Sequence, residues 1–449
     1  MLWFGSDDRL SVLQTDAEEM SELDLSTHIG FQRLRATYTT HVGPFALSIS
    51  PVFGADQLSL TAGERTSTDI TQSVWGLRER LVGKLRPNLR LDAGIDLEAR
   101  KTDYRLVIAN ASDVRGFGGD GAGEGTNDID VPTELLERAA DTYQIAAHAE
   151  LAWDVLEGLR LIPGVRVDGY VLQGEWRQSI DPRLVVRGSI DDKTTLKGYA
   201  GVFHQPPQPE AFDNIFGNAD IGLERGLHFG VGVERKLIEH VTLDAEVYLL
   251  DRQNQITFTD DTVRRDDGTV RPLNWDNEGR GRGYGLEVLL KHEVTDNFYG
   301  WASYTLSRSE VKRGPDEAWM PTIFDQTHNF VGVASYRTGK GWEFGARFRL
   351  TTGRPDTPVI GATYDADDDD YQPLRGELRS IRRDTFHQLD IRVDKTWLFK
   401  TWQLGVYLDL INVYNATNAE ATQYDYRFRE KSPVRGVPIV PTLGVKGQW

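Results

Sequence analysis

Apolar and polar residues alternate along most of this chain with a period of two. From Leu89 to Arg100, the apolar or small residues Leu89, Leu91, Ala93, Ile95, Leu97 and Ala99 interleave with Arg90, Asp92, Gly94, Asp96, Glu98 and Arg100. Successive side chains of a strand point to opposite faces, so this stretch is a strand with one greasy and one wet face. The pattern recurs in Tyr143 to Trp153, and again in Leu227 to Val233, answered by Val241 to Leu249. It returns in Tyr284 to Leu290, Trp342 to Leu350, Leu389 to Trp397 and Trp402 to Leu410. The last stretch, Val437 to Trp449, carries it to the end of the sequence, which is an aromatic, Trp449.

Turn residues punctuate these runs at Val42-Gly43-Pro44, Arg86-Pro87-Asn88, Glu157-Gly158, Asp191-Asp192-Lys193, Thr295-Asp296-Asn297 and Gly339-Lys340-Gly341. Between the other runs lie long polar stretches: Ser6 to Leu23, Asn110 to Asp141, Gln205 to Arg225, Thr259 to Gly281 and Arg354 to Arg382. Connections thus tend to alternate between short and long. The runs extend over roughly 10 to 18 residues, where strands of soluble sheets average about 5 to 6. That combination predicts an all-β antiparallel transmembrane β-barrel with short turns on one side and long loops on the other. Residues 1–449 are expected to form one such barrel domain, with about seventeen strands plus a stub at Leu2 to Gly5. A short helix is expected at Thr133 to Ala140, inside the second long loop.

Charge narrows the partners. The 449 residues carry 51 Lys and Arg against 68 Asp and Glu, a net charge of −17. Nucleic acid is excluded as a partner, since it calls for a basic surface. Mean hydropathy is −0.44, and no run of about 18 apolar residues marks a membrane-spanning helix. A membrane barrel escapes that test, because only alternate residues meet lipid. The wet face must then line a lumen, since a charge on the lipid face costs about 2–4 kcal/mol at the bilayer midplane. With no cysteine there is neither disulfide nor thiolate chemistry.

No motif announces catalysis. Gly116, Gly118 and Gly121 match G-x-G-x-x-G, but no βαβ unit surrounds them and they read as a flexible loop. Asp365 to Asp370 resembles a calcium loop in its first carboxylates, yet Asp370 stands where glycine is needed and Gly376 where glutamate is. The cluster Asp260-Asp261 with Asp266-Asp267 likewise reads as a solvated loop. The nine histidines have no metal-ligand spacing, and neither H-E-x-x-H nor G-x-S-x-G occurs. The chain is therefore read as a non-enzyme without cofactor or metal site. Asp390 and Asp394 are expected to pair with Arg392 and neighbours across strands. Candidate ligand contacts are Phe203, His204 and Gln205, which precede the strand-ending Pro206-Pro207, and the loop aromatics Phe212, Phe216, Trp275 and Tyr364.

The blocks Gly158 to Val171, Asp181 to Glu210, Gly281 to Glu310, Phe324 to Thr338 and Leu408 to Asn418 together resemble TonB-dependent outer-membrane receptors. The closing strand with Trp449 is similar to the terminal strand that the barrel-assembly machinery reads in outer-membrane proteins. The resemblance implies a bacterial outer-membrane location, contact with membrane lipid and lipopolysaccharide, and import of a scarce ligand such as a siderophore, cobalamin or an oligosaccharide. Members of that family have a plug inside a barrel of about 22 strands, and the TonB system drives them through the plug. The sequence departs from this pattern: it shows no plug, TonB box or signal peptide and about four strands fewer, as a C-terminal portion of a receptor would. The rival readings are a passive porin-like channel and a soluble propeller, the latter needing a repeat of about 40 to 50 residues that is not found.

Overall fold

The computed structural model describes residues 1–14, 23–62, 66–108, 134–212, 217–264, 268, 270–366 and 370–449. Its principal sheet has 20 strands, every pair antiparallel. Tyr38–Val42 continues the stave begun by Leu23–Arg35, and both pair with Phe45–Ala62. Met320–Pro321 is a two-residue patch on the end of Phe298–Lys312. Eighteen staves remain, each hydrogen-bonded to the next in sequence, which is the up-and-down order of a transmembrane barrel wall. Among the described residues no ladder joins the first stave, Leu2–Gln14, to the last, Val440–Gln448.

Because neighbours are antiparallel, all odd connections fall at one rim and all even ones at the other. One rim has eight links of two to five residues, such as Glu157-Gly158 and Asp192-Lys193. The other carries links of two to thirty-four residues, the longest following Trp342–Thr351 and Gln403–Ile411. Several links at the long rim fold into hairpins of their own: Val359–Asp365 pairs with Asp370–Arg375, and Ala419–Tyr424 with Lys431–Arg435.

The register carries each face across the sheet. Val231 lies opposite Val247, Val247 opposite Leu286 and Leu286 opposite Leu306, so one apolar row crosses four staves. Val231 is 66% exposed and Val247 54%, as befits side chains whose solvent is lipid. The alternate residues form an inner network. Arg166 donates to Asp96 (2.8 Å) and Asp168 (2.8 Å), Arg183 to Glu150 (2.9 Å) and Lys197 to Asp244 (2.6 Å). Glycines let long inner side chains lie across a neighbouring stave. Tyr199 crosses Gly230, where a Cβ would sit 2.4 Å from its ring, and reaches Glu246 at 2.9 Å.

One charge breaks the division. Glu79 stands opposite Ile49 on one side and Ile95 on the other, on the outward face between Leu77 and Leu81. No hydrogen bond or ion pair reaches its carboxylate among the described residues.

Three sequence expectations need correction. Leu2 to Gly5 is no stub: the strand runs Leu2–Gln14 in register with Leu23–Arg35, through residues expected to be loop. Glu134–Leu156 is a single strand, so no helix forms over 134–140. Thr259 to Gly281 is mostly ladder, with Val241–Arg264 and Val270–His292 extending far past their apolar parts. In each case the strand runs beyond the hydrocarbon, where both faces are wet and the alternation that signals a strand disappears. Gly116, Gly118 and Gly121 lie outside the described residues.

Candidate ligand vestibule

The long rim is braced from within at two places. At the first, Pro206-Pro207 ends a stave and the chain makes a helical turn, Pro209–Phe212. Phe212 and Ala211 then pack with Ile221, Trp275 and the inward residues Tyr170 and Leu172 in a buried apolar cluster. Polar bonds strap the same loop to the hairpin beside it: Asn218 donates to the Trp275 carbonyl (2.9 Å), and the Gly222 amide to Asn277 Oδ1 (2.6 Å). Below it His204 Nδ1 lies 2.5 Å from Asp181 Oδ1, and the Phe203 ring lies 4.6 Å from that of His228.

At the second place, Asn412 anchors the last loop. It is fully buried with φ 54°, a left-handed conformation that asparagine tolerates better than most residues. Its side chain donates to the carbonyls of Ala416 (3.0 Å) and Val437 (3.0 Å) and accepts from the Ala416 amide (2.8 Å). Its own amide donates to Asp390, which also accepts from Arg347 and Gln388. Above this base the two rim hairpins bring tyrosines together: the Tyr364 and Tyr371 rings are 5.2 Å apart, and Tyr371 and Tyr426 6.1 Å. Tyr364 is 49% exposed and Tyr426 45%, which leaves an aromatic surface open at the mouth. The tip beside it is fixed by Asp425, which accepts amide N–H bonds from Glu430 (2.8 Å) and Arg429 (2.6 Å). The Glu430 amide is the largest cause holding the Asp425 carboxyl below the usual carboxylate range.

The candidates from the sequence are thus distributed. Phe203 and His204 form the His228 and Asp181 contacts, and Gln205 is exposed at the end of its stave. Phe212 and Trp275 lie inside the apolar cluster, and Tyr364 is in the open tyrosine group. Phe216 lies outside the described residues, as do Asp367, Asp368 and Asp369 of the acidic run. Trp449 follows the last strand and is 95% exposed. Asp394 pairs with Arg392 (2.8 Å) as expected, whereas Asp390 takes Arg347 of the neighbouring stave (2.6 Å). Among the described residues no group of three His, Asp or Glu is placed to hold a metal. Sequence reasoning missed Tyr371 and Tyr426, whose only signal was an aromatic residue in a polar loop.

The family model for the TonB dependent receptor-like β-barrel matches residues 5–415. No curated protein sequence matches the chain. Among solved structures, the ferric-catecholate import receptor Fiu of Escherichia coli K12 is similar at TM-score 0.62 and 12% identity, over 95% of this chain and 64% of that one. The FrpB iron transporter of Neisseria meningitidis is similar at TM-score 0.63 and 13% identity, over 94% of this chain and 63% of that one. The siderophore receptor PiuA of Acinetobacter baumannii is similar at TM-score 0.61 and 13% identity, over 96% of this chain and 65% of that one. The chain spans less than two thirds of the length of each. These identities speak to fold alone, but the family model covers most of the sequence, and the chain belongs to the TonB-dependent receptor-like β-barrel family.

Proposed function

We propose that this barrel is the ligand-capturing and pore-wall part of an outer-membrane receptor that imports a scarce ligand of the siderophore, cobalamin or oligosaccharide class. The observation that carries the reading is the braced long rim, with a tyrosine group (exposed Tyr364 and Tyr426 around the half-buried Tyr371) above an inner wall of paired charges. Open aromatic faces stack on planar chelates and on sugar rings alike. Phe203, His204 and Gln205 contribute to the same mouth, while Phe212 and Trp275 hold the loop that shapes it. The long rim faces outward from a bacterial outer membrane, the terminal strand with Trp449 serves recognition by the barrel-assembly machinery, and the TonB system powers import only where a plug is joined to this barrel.

The test is binding and conductance of the membrane-inserted protein. Ferric citrate, a ferric catecholate chelate, cobalamin and a maltooligosaccharide are titrated against tryptophan fluorescence, with single-channel recording in planar bilayers. Saturable binding of one probe that weakens at least tenfold in Y364A/Y426A supports capture. A steady ohmic pore that binds none of them supports the passive channel instead.

A further inference from the structure

The charge of this chain is divided unevenly between wall and mouth. The links of the long rim hold 29 Asp and Glu against 13 Lys and Arg, a net of −16. The links of the short rim hold 5 against 3, and the staves themselves 34 against 35. The wall is close to neutral because its charges meet one another: Arg166 bridges Asp96 and Asp168, and Lys197 takes Asp244. Almost the whole net charge of −17 belongs to the mouth instead.

That placement sets the field an arriving ligand meets. Charges of one sign around a cleft with low-dielectric walls focus the potential, drawing in ions of the opposite sign and repelling their own. The rim hairpin that carries two of the tyrosines adds to this at close range. In its ladder Tyr364 stands opposite Tyr371, and the next row pairs Asp365 with Asp370, two residues of like charge. Between those two the sequence adds Asp367, Asp368 and Asp369. Aromatic faces attract cations through the ring quadrupole, and one ring of the group already does so: the Arg427 guanidinium lies 4.8 Å from the centre of Tyr426. The last loop is the exception to the acidic rim, with Arg427, Arg429, Lys431 and Arg435 against Glu420, Asp425 and Glu430. Its excess of one cation is outweighed by the link it meets through Tyr371 and Tyr426, residues 352–385, which has 8 acidic residues against 5 basic.

We infer that the ligand captured at this mouth carries net positive charge, its cationic group settling against the exposed Tyr364 beside the row of Asp365 and Asp370. A polyanionic chelate would have to pass the same rim against its field. Charges in water are screened within about 8 Å at physiological ionic strength, so the selection acts at the rim itself and weakens as salt rises. The inference rests on the capture reading and narrows its ligand to one sign of charge.

The experiment varies charge on one scaffold. A linear ferric trishydroxamate with a free terminal amine is cationic, its N-acetyl derivative neutral and its N-succinyl derivative anionic. Each is titrated against tryptophan fluorescence of the detergent-folded protein, in buffer free of divalent cations, with folding checked by heat-modifiable gel mobility. The cationic complex is expected to bind at least tenfold tighter than the anionic one, with the neutral one between and the gap closing as salt rises. D365N/D370N should cut that gap at least threefold while the neutral complex binds as before and mobility stays native. Asp296→Asn at the short rim should leave the order intact. Equal affinities, a reversed order, or a D365N/D370N effect common to all three complexes overturns charge selection and leaves capture standing. So does a protein that ignores this series but binds an anionic probe (ferric citrate or the ferric catecholate) or a neutral one (cobalamin or the maltooligosaccharide). Binding by no probe at all takes the capture reading and this inference down together.

Discussion

On the stave Leu159–Leu172 the inward Arg166 bridges Asp96 and Asp168, while its outward neighbours Val165 and Val167 present only hydrocarbon. The same backbone therefore serves two solvents one residue apart. Inside, a charge is acceptable when it finds a partner, and Asp168 is 2% exposed because Arg166 and Gln144 (2.7 Å) both donate to it. Outside, Glu79 stands between Ile49 and Ile95 with no hydrogen bond or ion pair to its carboxylate among the described residues. The difference shows that the wall is specified by pairing on one face and by the absence of polarity on the other.

The largest test breaks the inner side. Arg166→Val strips the cation from Asp168, leaving only the Gln144 bond, and weakens the hold on Asp96, which keeps Arg78, and a carboxylate left without its counter-charge in a buried site costs about 3–5 kcal/mol. The expected result is a large drop in the guanidinium midpoint of the detergent-folded protein. A change below about 1 kcal/mol would mean that lumen water satisfies these groups and that pairing is incidental. The converse substitution moves the same charge by one residue. Val167→Arg is expected to cost about 2–4 kcal/mol when unfolding is measured in lipid, and less in short-chain detergent.

Glu79 sharpens the comparison, because it violates the rule. Its carboxylate faces Ile49 and Ile95 on the hydrocarbon side. Glu79→Leu is expected to raise stability by about 1 kcal/mol, since acidic residues cost less than arginine on the lipid face. Loss of stability instead would assign the carboxylate a partner in the membrane.

How much of this was legible in the sequence follows from the same contrast. Where a strand separates lipid from lumen, as in Leu89 to Arg100, each residue reports its solvent and the alternation is plain. Where the strand rises above the membrane, both solvents are water. Ser6 to Gln14 and Glu134 to Ala140 therefore look like loop or helix although both are ladder. Asp394 and Arg392 were readable as a pair because they are two apart on one face, but the Arg347 bonded to Asp390 sits 43 residues earlier. The vestibule was legible only in part. Tyr364 stood out as an aromatic in a polar loop, but its companions Tyr371 and Tyr426 are brought to it by the pairing of two rim hairpins, which no local pattern encodes.

The smallest expected effect concerns the tip of the last loop, where neither lipid nor lumen decides. The Glu430 amide, with those of Arg429 and Arg427, holds the Asp425 carboxyl below its ordinary value. A group whose folded-state pKa is depressed adds stability above its unfolded value, and that contribution disappears as pH falls through the folded value. Amide protection at Phe428 to Glu430, followed by hydrogen exchange and corrected for the intrinsic rate, should thus hold down to about pH 4 and fall below it. Asp425→Asn should flatten the profile, because an amide oxygen does not titrate. The protection of the inner wall around Asp168 should not follow that curve. If it did, the rim hairpins and the barrel would be one cooperative unit, and loops that vary in order to capture ligands would be unable to loosen without loosening the wall that holds them.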